Sequence, residues 1–399
     1  MTLLKKLEPV IATGMPGAYK VLVFFLLQHI YNIEALGSIA FWQSTAQIIG
    51  YFTAIGWASL VLVRVAKAKT KKDGVEAFNR LCHMSLYTLI TCCFCIISIG
   101  ELFDRSNDAI QIALWTIGWT CYQMPRHYLI ALRAYRKAIL LDLSVITLST
   151  ISIITAPLEA ASLCLALSMI LTGLMTLVLI QQNTNAKIIH WEYELKGLEF
   201  GLVNFLGGGV SLSLIPLAAI LESESFVGVL SLFISTMGIA LLIPRAISVN
   251  QLPTLSKIVD APEVLAAHIK RMRRQISLSN VGTSITCLAI GAIIIFRSIE
   301  TIQPTSMAII FLLITLQNTL STQGLIDSNI LICKEKSRSL LKINTATSTT
   351  FLIVIPIIIW KPMDHAFIYI CLTTALLNLY RLNRTRHYAK LSYDSHTAL

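Results

Sequence analysis

The sequence predicts an all-α integral membrane protein, with about twelve transmembrane helices in two pseudo-symmetric six-helix lobes. Three observations predict it. Apolar residues make up 55% of the chain and charged residues only 13%, roughly half the ~25% charged share of soluble domains. The mean hydropathy of +0.71 is more apolar surface than a water-soluble core can hide. The apolar residues also fall in long runs of the ~20 residues that cross a bilayer, and Lys and Arg crowd into alternate connections between them.

In chain order, the N-terminal lobe (residues 1–181) contains the runs Pro9–Tyr31, Leu36–Val63, Leu81–Gly100, Ala109–Leu132, Ile139–Ala156 and Ala161–Gln181. The first run follows Lys5 and Lys6 and continues to Tyr31, too long for the apolar segment of a cleaved signal peptide. The fourth is the most polar, with Gln111, Trp115, Trp119 and Gln123 spaced four apart on one stripe. Residues 182–196 form a polar cytoplasmic linker. The C-terminal lobe (197–399, ending in a cytoplasmic tail) contributes Gly197–Leu221, Phe226–Ser248, Ile276–Phe296, Thr305–Cys333, Leu340–Trp360 and His365–Tyr380. Between its second and third runs, Ala261–Gln275 reads as an amphipathic cytosolic helix lying on anionic headgroups. Runs this long and continuous exclude a β-barrel, whose strands alternate.

Orientation follows from the basic residues. One set of connections holds Lys5 and Lys6, the series from Arg64 to Arg80, Arg133 to Lys137, Lys187 and Lys196, Lys257 to Arg274, Lys334 to Lys342, and Arg381 to Lys390. The other holds only Arg105, Arg297 and Lys361. Both termini are therefore expected in the cytoplasm. The net charge of +11 is this topology signal, not a nucleic-acid-binding stripe.

The halves resemble each other. Leu36-Gly37 through Ser44-Thr45 opens the second run, and Val227-Gly228 through Ser235-Thr236 opens the eighth in the same register. That register places Pro16-Gly17 opposite Gly207-Gly208-Gly209, so each lobe is expected to break its leading helix, with hinges at Pro16, Gly17, Gly207, Gly208 and Gly209. Interrupted helices in corresponding positions point to the binding site of a transporter.

Lys20 lies near the middle of the first run, where a cation is costly and faces a wet cavity or a partner; function and a structural pairing both fit. Arg126 and His127 sit near the cytoplasmic end of the fourth run, where cavity lining and snorkelling both fit. Arg245 and Arg64 end their runs where the positive-inside rule alone accounts for them. Asp142, Glu199 and Asp327 are embedded acids that suit a coupling cation, a pairing with Lys20 or Arg126, or simple solvation. Gln317, Asn318, Ser321, Gly324 and Ser328 make a polar stripe in the tenth run, as lining or as interhelical glue.

The sequence has no phosphate-binding G-x-x-x-x-G-K-[ST] loop and no catalytic grouping in an outer loop, which argues against an ATPase and against an enzyme. The nine cysteines lie almost wholly in apolar runs and are expected to be free, so no metal or cofactor is implied.

Taken together, the Leu36-Gly37 opening, the Ala131-Leu132-Arg133-Ala134 stretch and the Pro253-Thr254-Leu255-Ser256 segment resemble the Wzx-type O-antigen and polysaccharide flippases. These belong to the multidrug/oligosaccharidyl-lipid/polysaccharide (MOP) exporter superfamily, which also contains the MATE transporters. The resemblance is diffuse but covers most of the chain. It implies a MATE/MOP-like pair of lobes around a cationic cavity in the bacterial inner membrane, working by alternating access. The implied ligand is an undecaprenyl-pyrophosphate-linked oligosaccharide for O-antigen, lipopolysaccharide or another surface polysaccharide, its diphosphate meeting Lys20, Arg126 and Arg245. Na+ or H+ would couple through Asp142, Asp327 or Glu199, and polysaccharide polymerase and chain-length proteins are implied partners beside membrane lipids. A cation-coupled multidrug exporter of the same superfamily is the alternative, and a membrane polysaccharide polymerase or ligase a more distant one.

Overall fold

A computed structural model describes residues 3–182, 194–258, 262–298, 303–334, 337–360 and 365–394. Most of the expected linker (183–193), the outer connection Lys361–Asp364 and the last five residues of the tail lie outside them. The described residues form helices and no strand. They group into two compact units, Met1–Ala219 and Ile220–Leu399.

The first unit is built from α1 (Leu3–Ile30), α2 (Ile33–Gly50), α3 (Gly56–Lys67), α4 (Lys71–Leu102), α5 (Ser106–Ala131), α6 (Tyr135–Thr155), α7 (Leu158–Gln182), α8 (Lys196–Leu212) and α9 (Leu214–Leu221). α2 and α3 are one continuous span, Ile33–Lys67, joined by a π-helical turn at Tyr51–Ile55. Such a turn displaces carbonyls from the helical ladder. Two of them find side chains instead: Trp57 Nε1 donates to the Phe52 carbonyl at 3.0 Å, and Ser85 Oγ to the Thr53 carbonyl at 2.5 Å.

α5 is the centre of the unit, with α2, α3, α4, α6 and α7 all packed around it. Its polar side chains therefore face protein, and Thr116, Thr120, Gln123 and Arg126 are all buried. Trp115 Nε1 donates to Ser162 Oγ (3.0 Å), which in turn donates to Gln111 Oε1 (2.8 Å), tying the expected stripe to α7.

α8, which the sequence assigns to the second lobe, packs with α2 and α3. Glycines make the crossing close: a Cβ on Gly56 would lie 2.0 Å from the Gly197 carbonyl oxygen, and one on Gly201 would lie 2.5 Å from that of Tyr51. Small residues spaced this way let helix backbones touch in a membrane.

The second unit contains α10 (Glu224–Ala240), α11 (Leu242–Ile258), α12 (Pro262–Arg297), α13 (Pro304–Gln323), α14 (Leu325–Cys333), α15 (Ser337–Trp360) and α16 (Ala366–Asp394). Phe233 and Phe311 stack at 3.8 Å in its core. The segment expected as a separate helix on the headgroups is instead the start of α12, continuous with the ninth span. Its apolar side chains Leu265, Ile269, Met272 and Ile276 are covered by Leu255, Ile326, Ile330, Leu331 and Ala389 of the same unit, so protein and not lipid takes that face.

Among the described residues, nine stretches are long and apolar enough to cross a bilayer, ten if α8 and α9, bent by 46°, count as one. α5 and α16, with 26 and 29 residues, are also long enough to cross but are more polar than those ten. α5 is polar because it is enclosed by protein. In α16 the apolar part is short and the helix continues through Arg381, Arg384 and Arg386. The chain is a multi-pass membrane protein.

Candidate functional site

The charged groups buried in the first unit meet where α1, α5 and α6 pack together. Arg126 and Asp142 are 6% and 2% exposed. Arg126 Nε donates to both Asp142 oxygens, at 3.0 and 3.3 Å, and the Tyr122 hydroxyl donates to Asp142 Oδ1 at 2.5 Å. The acid is thus committed to a cation one helix away, and the hydroxyl satisfies it further.

Arg126 makes a third bond that explains why α1 tolerates its proline. Proline at position 16 has no N–H, so the carbonyl four residues earlier, on Ala12, loses its helical donor. The Arg126 terminal nitrogen donates to that Ala12 carbonyl. An unpaired carbonyl in a membrane interior is costly, and the guanidinium, with donors to spare, serves both the carboxylate and the proline gap. α1 accordingly runs through Pro16-Gly17 as one helix from Leu3 to Ile30, where the sequence led us to expect a break. A Cβ added at Gly17 would meet nothing within 4 Å, so packing does not require glycine there.

Lys20 lies on the same helix, roughly 18 Å of helical rise from Glu8 and 15 Å from Ile30, the limits of the span. Its Nζ sits 5.3 Å from the centre of the Phe24 ring, a cation–π contact. It is half-buried, and among the described residues it makes no ion pair. Nearby, Ser149 Oγ of α6 donates to the Tyr19 hydroxyl at 3.4 Å. His127 points its Nδ1 back to the Gln123 carbonyl (2.8 Å) in its own helix.

The glycines expected to hinge the seventh span do not break it. α8 passes through Gly207, Gly208 and Gly209, and the 46° bend falls at Ser213. Gly208 and Gly209 instead make room, for the Tyr51 hydroxyl and the Phe205 ring respectively. The bend precedes Pro216, which cannot donate to Leu212. In the eighth span the helix is interrupted only by a one-residue turn at Leu241, three residues before Pro244, and Glu224–Arg245 remains one span. Proline geometry, more than glycine freedom, accounts for the bend at Ser213. Glu199 of α8 is exposed and makes no ion pair among the described residues.

In the second unit Asp327 is fully buried. Arg273 donates to its Oδ1 at 2.6 Å, and Arg386 Nε lies 3.7 Å from Oδ2. Arg386 also donates to Gln323 Oε1 at 3.3 Å. The polar stripe of the tenth span acts as interhelical glue: Thr374 donates to Gln317 Oε1 (3.1 Å), Thr322 to Asn280 Oδ1 (3.0 Å), and Asn318 to the Met237 sulfur (3.5 Å). Arg245 is exposed near the start of α11.

The sequence reading missed Arg273 and Arg386 as partners of Asp327, Tyr122 as a donor to Asp142, and Glu194 altogether. Arg64 binds Glu194 through both terminal nitrogens, and Arg80 stands 4.0 Å away. This bond to Arg64 holds the Glu194 carboxyl below the usual carboxylate range. Among the described residues no group of three or more His, Cys, Asp or Glu could hold a metal ion.

No protein-family model and no curated protein sequence matches the chain. Solved structures do. An inward-facing multidrug-resistance MATE family transporter of the MOP superfamily superposes with a TM-score of 0.62 at 12% identity, over 99% of this chain and 96% of that one. The MATE multidrug transporter DinF-BH, solved as a ligand complex, gives 0.56 at 15% identity, over 96% and 95%. A MOP superfamily transporter from Pyrococcus furiosus, described as having a binding pocket of reverse polarity that suggests a different function, gives 0.56 at 12% identity, over 98% and 94%. The chain has the MATE/MOP transporter fold.

Proposed function

We propose that this protein is a transporter that flips an undecaprenyl-pyrophosphate-linked oligosaccharide across the bacterial inner membrane, with both termini in the cytoplasm. The observation that carries the reading is the charge left over inside the first unit. Arg126 and Asp142 neutralise each other, whereas Lys20, in the middle of a span, makes a contact with the Phe24 ring and no ion pair among the described residues. An embedded cation without a counter-ion calls for an anionic ligand or a wet cavity, and a diphosphate supplies two charged groups on a lipid that can leave its tail in the bilayer. Such a surplus repels the cationic compounds that a multidrug exporter carries. The Pyrococcus furiosus transporter of this fold is described as having a binding pocket of reverse polarity that suggests a different function.

Multidrug export is the second reading, favoured by the neighbours that are multidrug transporters. One experiment separates the two: lipid-linked oligosaccharide and surface glycan are measured in a deletion strain complemented with wild type or Lys20→Ala. Accumulation on the cytoplasmic side with loss of surface glycan, rescued by wild type and not by Lys20→Ala, supports flipping. Unchanged surface glycan in a strain with no redundant transporter rejects it and favours drug export.

A further inference from the structure

A second feature of the first unit lies apart from these embedded charges. A cavity of about 480 Å³ opens between α6 and α7, floored by Tyr128 and Leu129 of α5; sites of ~300–1,000 Å³ hold small organic ligands. Its walls include Leu140, Met175 and Leu179, which are 62%, 68% and 52% exposed. It therefore opens sideways, towards lipid, and not into the interior of the unit.

The groove is charged at one end only. Lys71, at the start of α4, and Lys137, in the first turn of α6, line that end, and neither makes an ion pair among the described residues. The hydroxyls of Ser144 and Thr176 lie deeper. From Lys137 to Ser144 is seven residues of α6, roughly 10 Å of helical rise, so the apolar part extends about two turns into the membrane from its charged mouth. Lys71 and Lys137 belong to connections that the basic-residue pattern assigns to the cytoplasmic side. Anionic lipids are concentrated in that leaflet, and basic pockets between helices there bind phosphate headgroups.

We propose that this groove holds one anionic glycerophospholipid of the cytoplasmic leaflet, with its phosphate between Lys71 and Lys137 and an acyl chain lying along α6 and α7. Two unpaired cations above an apolar trough match a single phosphate above a single chain. A zwitterionic lipid offers the same chain, but its own cation weakens attraction to the lysines. The site is separate from any transported substrate and does not depend on which molecule the protein carries.

The test is lipid retention by the purified full-length protein, followed by native mass spectrometry with phosphatidylglycerol or phosphatidylcholine. Wild type is expected to keep one phosphatidylglycerol under conditions that strip phosphatidylcholine. Each lysine near an anionic headgroup contributes roughly a five-fold factor, so Lys71→Gln/Lys137→Gln together should weaken phosphatidylglycerol roughly 20- to 30-fold. Both lysines are exposed, so thermal unfolding in phosphatidylcholine alone should be unchanged. Thr176→Trp, which fills the trough, should reduce retention of both lipids while the lysines remain. Undiminished phosphatidylglycerol binding in the lysine variant would overturn the proposal. So would displacement of the lipid by inorganic phosphate at equal concentration, since the chain would then contribute nothing. Retention of an undecaprenyl phosphate probe but not of phosphatidylglycerol would overturn it too, by assigning the groove to a carrier lipid.

Discussion

Replacing Arg126 by Leu tests whether one guanidinium serves both a buried acid and a proline gap. The substitution leaves Asp142, 2% exposed, with only the Tyr122 hydroxyl, and it leaves the Ala12 carbonyl with no donor from Arg126. Removing one partner of a buried ion pair costs about 3–5 kcal/mol, and an orphaned buried carbonyl about 1–3 kcal/mol more. Protonation of Asp142 limits the first cost, so the total should fall near ~4 kcal/mol. Arg126→Leu/Asp142→Leu removes both charges and should be less damaging than the sum of its parts by at least about 2 kcal/mol. The proline supplies a second cycle. Pro16→Ala restores an N–H aimed at Ala12, so it should stabilise the Arg126→Leu protein by about 1–2 kcal/mol more than it stabilises wild type. The assay is equilibrium unfolding of the purified protein in a fixed detergent, with the four variants of each cycle measured together. Equal effects of Pro16→Ala in both backgrounds would refute the link between the arginine and the proline gap. A tolerated Arg126→Leu would refute the larger claim that the pair is structural.

Four further tests address separate parts of the structure. Gly56→Leu should destabilise the first unit by more than about 3 kcal/mol, beyond the usual cost of overpacking, because even a Cβ there would lie 2.0 Å from the Gly197 carbonyl oxygen; unfolding in detergent measures it. Gly17→Ala meets open space and should stabilise α1 by up to about 1 kcal/mol; lost transport with gained stability would assign flexibility to Gly17, and unchanged transport would deny it. Asp327→Leu leaves two arginines facing each other and should be more damaging in thermal unfolding than Arg273→Gln, which leaves Arg386 near the acid. For pH, the Glu194 carboxyl is depressed by Arg64. Its contribution is present above the ordinary Glu value of ~4.3 and should fade as pH drops below that towards the lower folded value. Arg64→Gln should remove this part of the acid sensitivity of Tm, and an identical pH profile in the two proteins would count against the pairing.

The fold was legible because lipid imposes one rule on every span: about twenty apolar residues wherever the helix faces hydrocarbon. α5 was found despite its polarity because its Gln and Trp residues interrupt the apolar run without ending it. The pairing of Arg126 with Asp142 could have been sharpened from sequence. They lie five residues before the end of α5 and seven after the start of α6, so a short antiparallel hairpin brings them to the same depth. The same rule applies to Arg273 and Asp327, 24 residues before the end of α12 and 23 after the start of α13 on consecutive spans, but it was hidden because Ala261–Gln275 was read as a separate surface helix and not as the start of the ninth span. The helix breaks expected at Pro16-Gly17 and Gly207–Gly209 differ from the observed bend for another reason. Glycine was read as freedom, but at Gly208 and Gly209 it provides space for Tyr51 and Phe205, and the bend falls at Ser213, just before Pro216. The π-helical turn at Tyr51–Ile55 has no composition of its own and could not be read at all.

These pairings bear on how transport could be driven. Two of the three acids considered as coupling sites are held by arginines of their own unit: Asp142 by Arg126 and Asp327 by Arg273 and Arg386. A Na+ ion at either would have to displace a guanidinium, and a proton would strip that guanidinium of its counter-charge in a buried place. Both events are costly unless the arginine gains another anion at the same moment. The diphosphate of the proposed substrate, if bound beside α1, would be such an anion. In that scheme the substrate competes with Asp142 for Arg126, the freed acid becomes able to take a proton, and the Ala12 carbonyl loses its donor beside Pro16. Substrate binding, protonation and loosening of α1 would then be one linked event. Glu199, exposed and outside any ion pair among the described residues, would need no such exchange, so comparing the coupling defects of Asp142→Asn and Glu199→Gln in a proton-flux assay separates an exchange mechanism from a simple acid site.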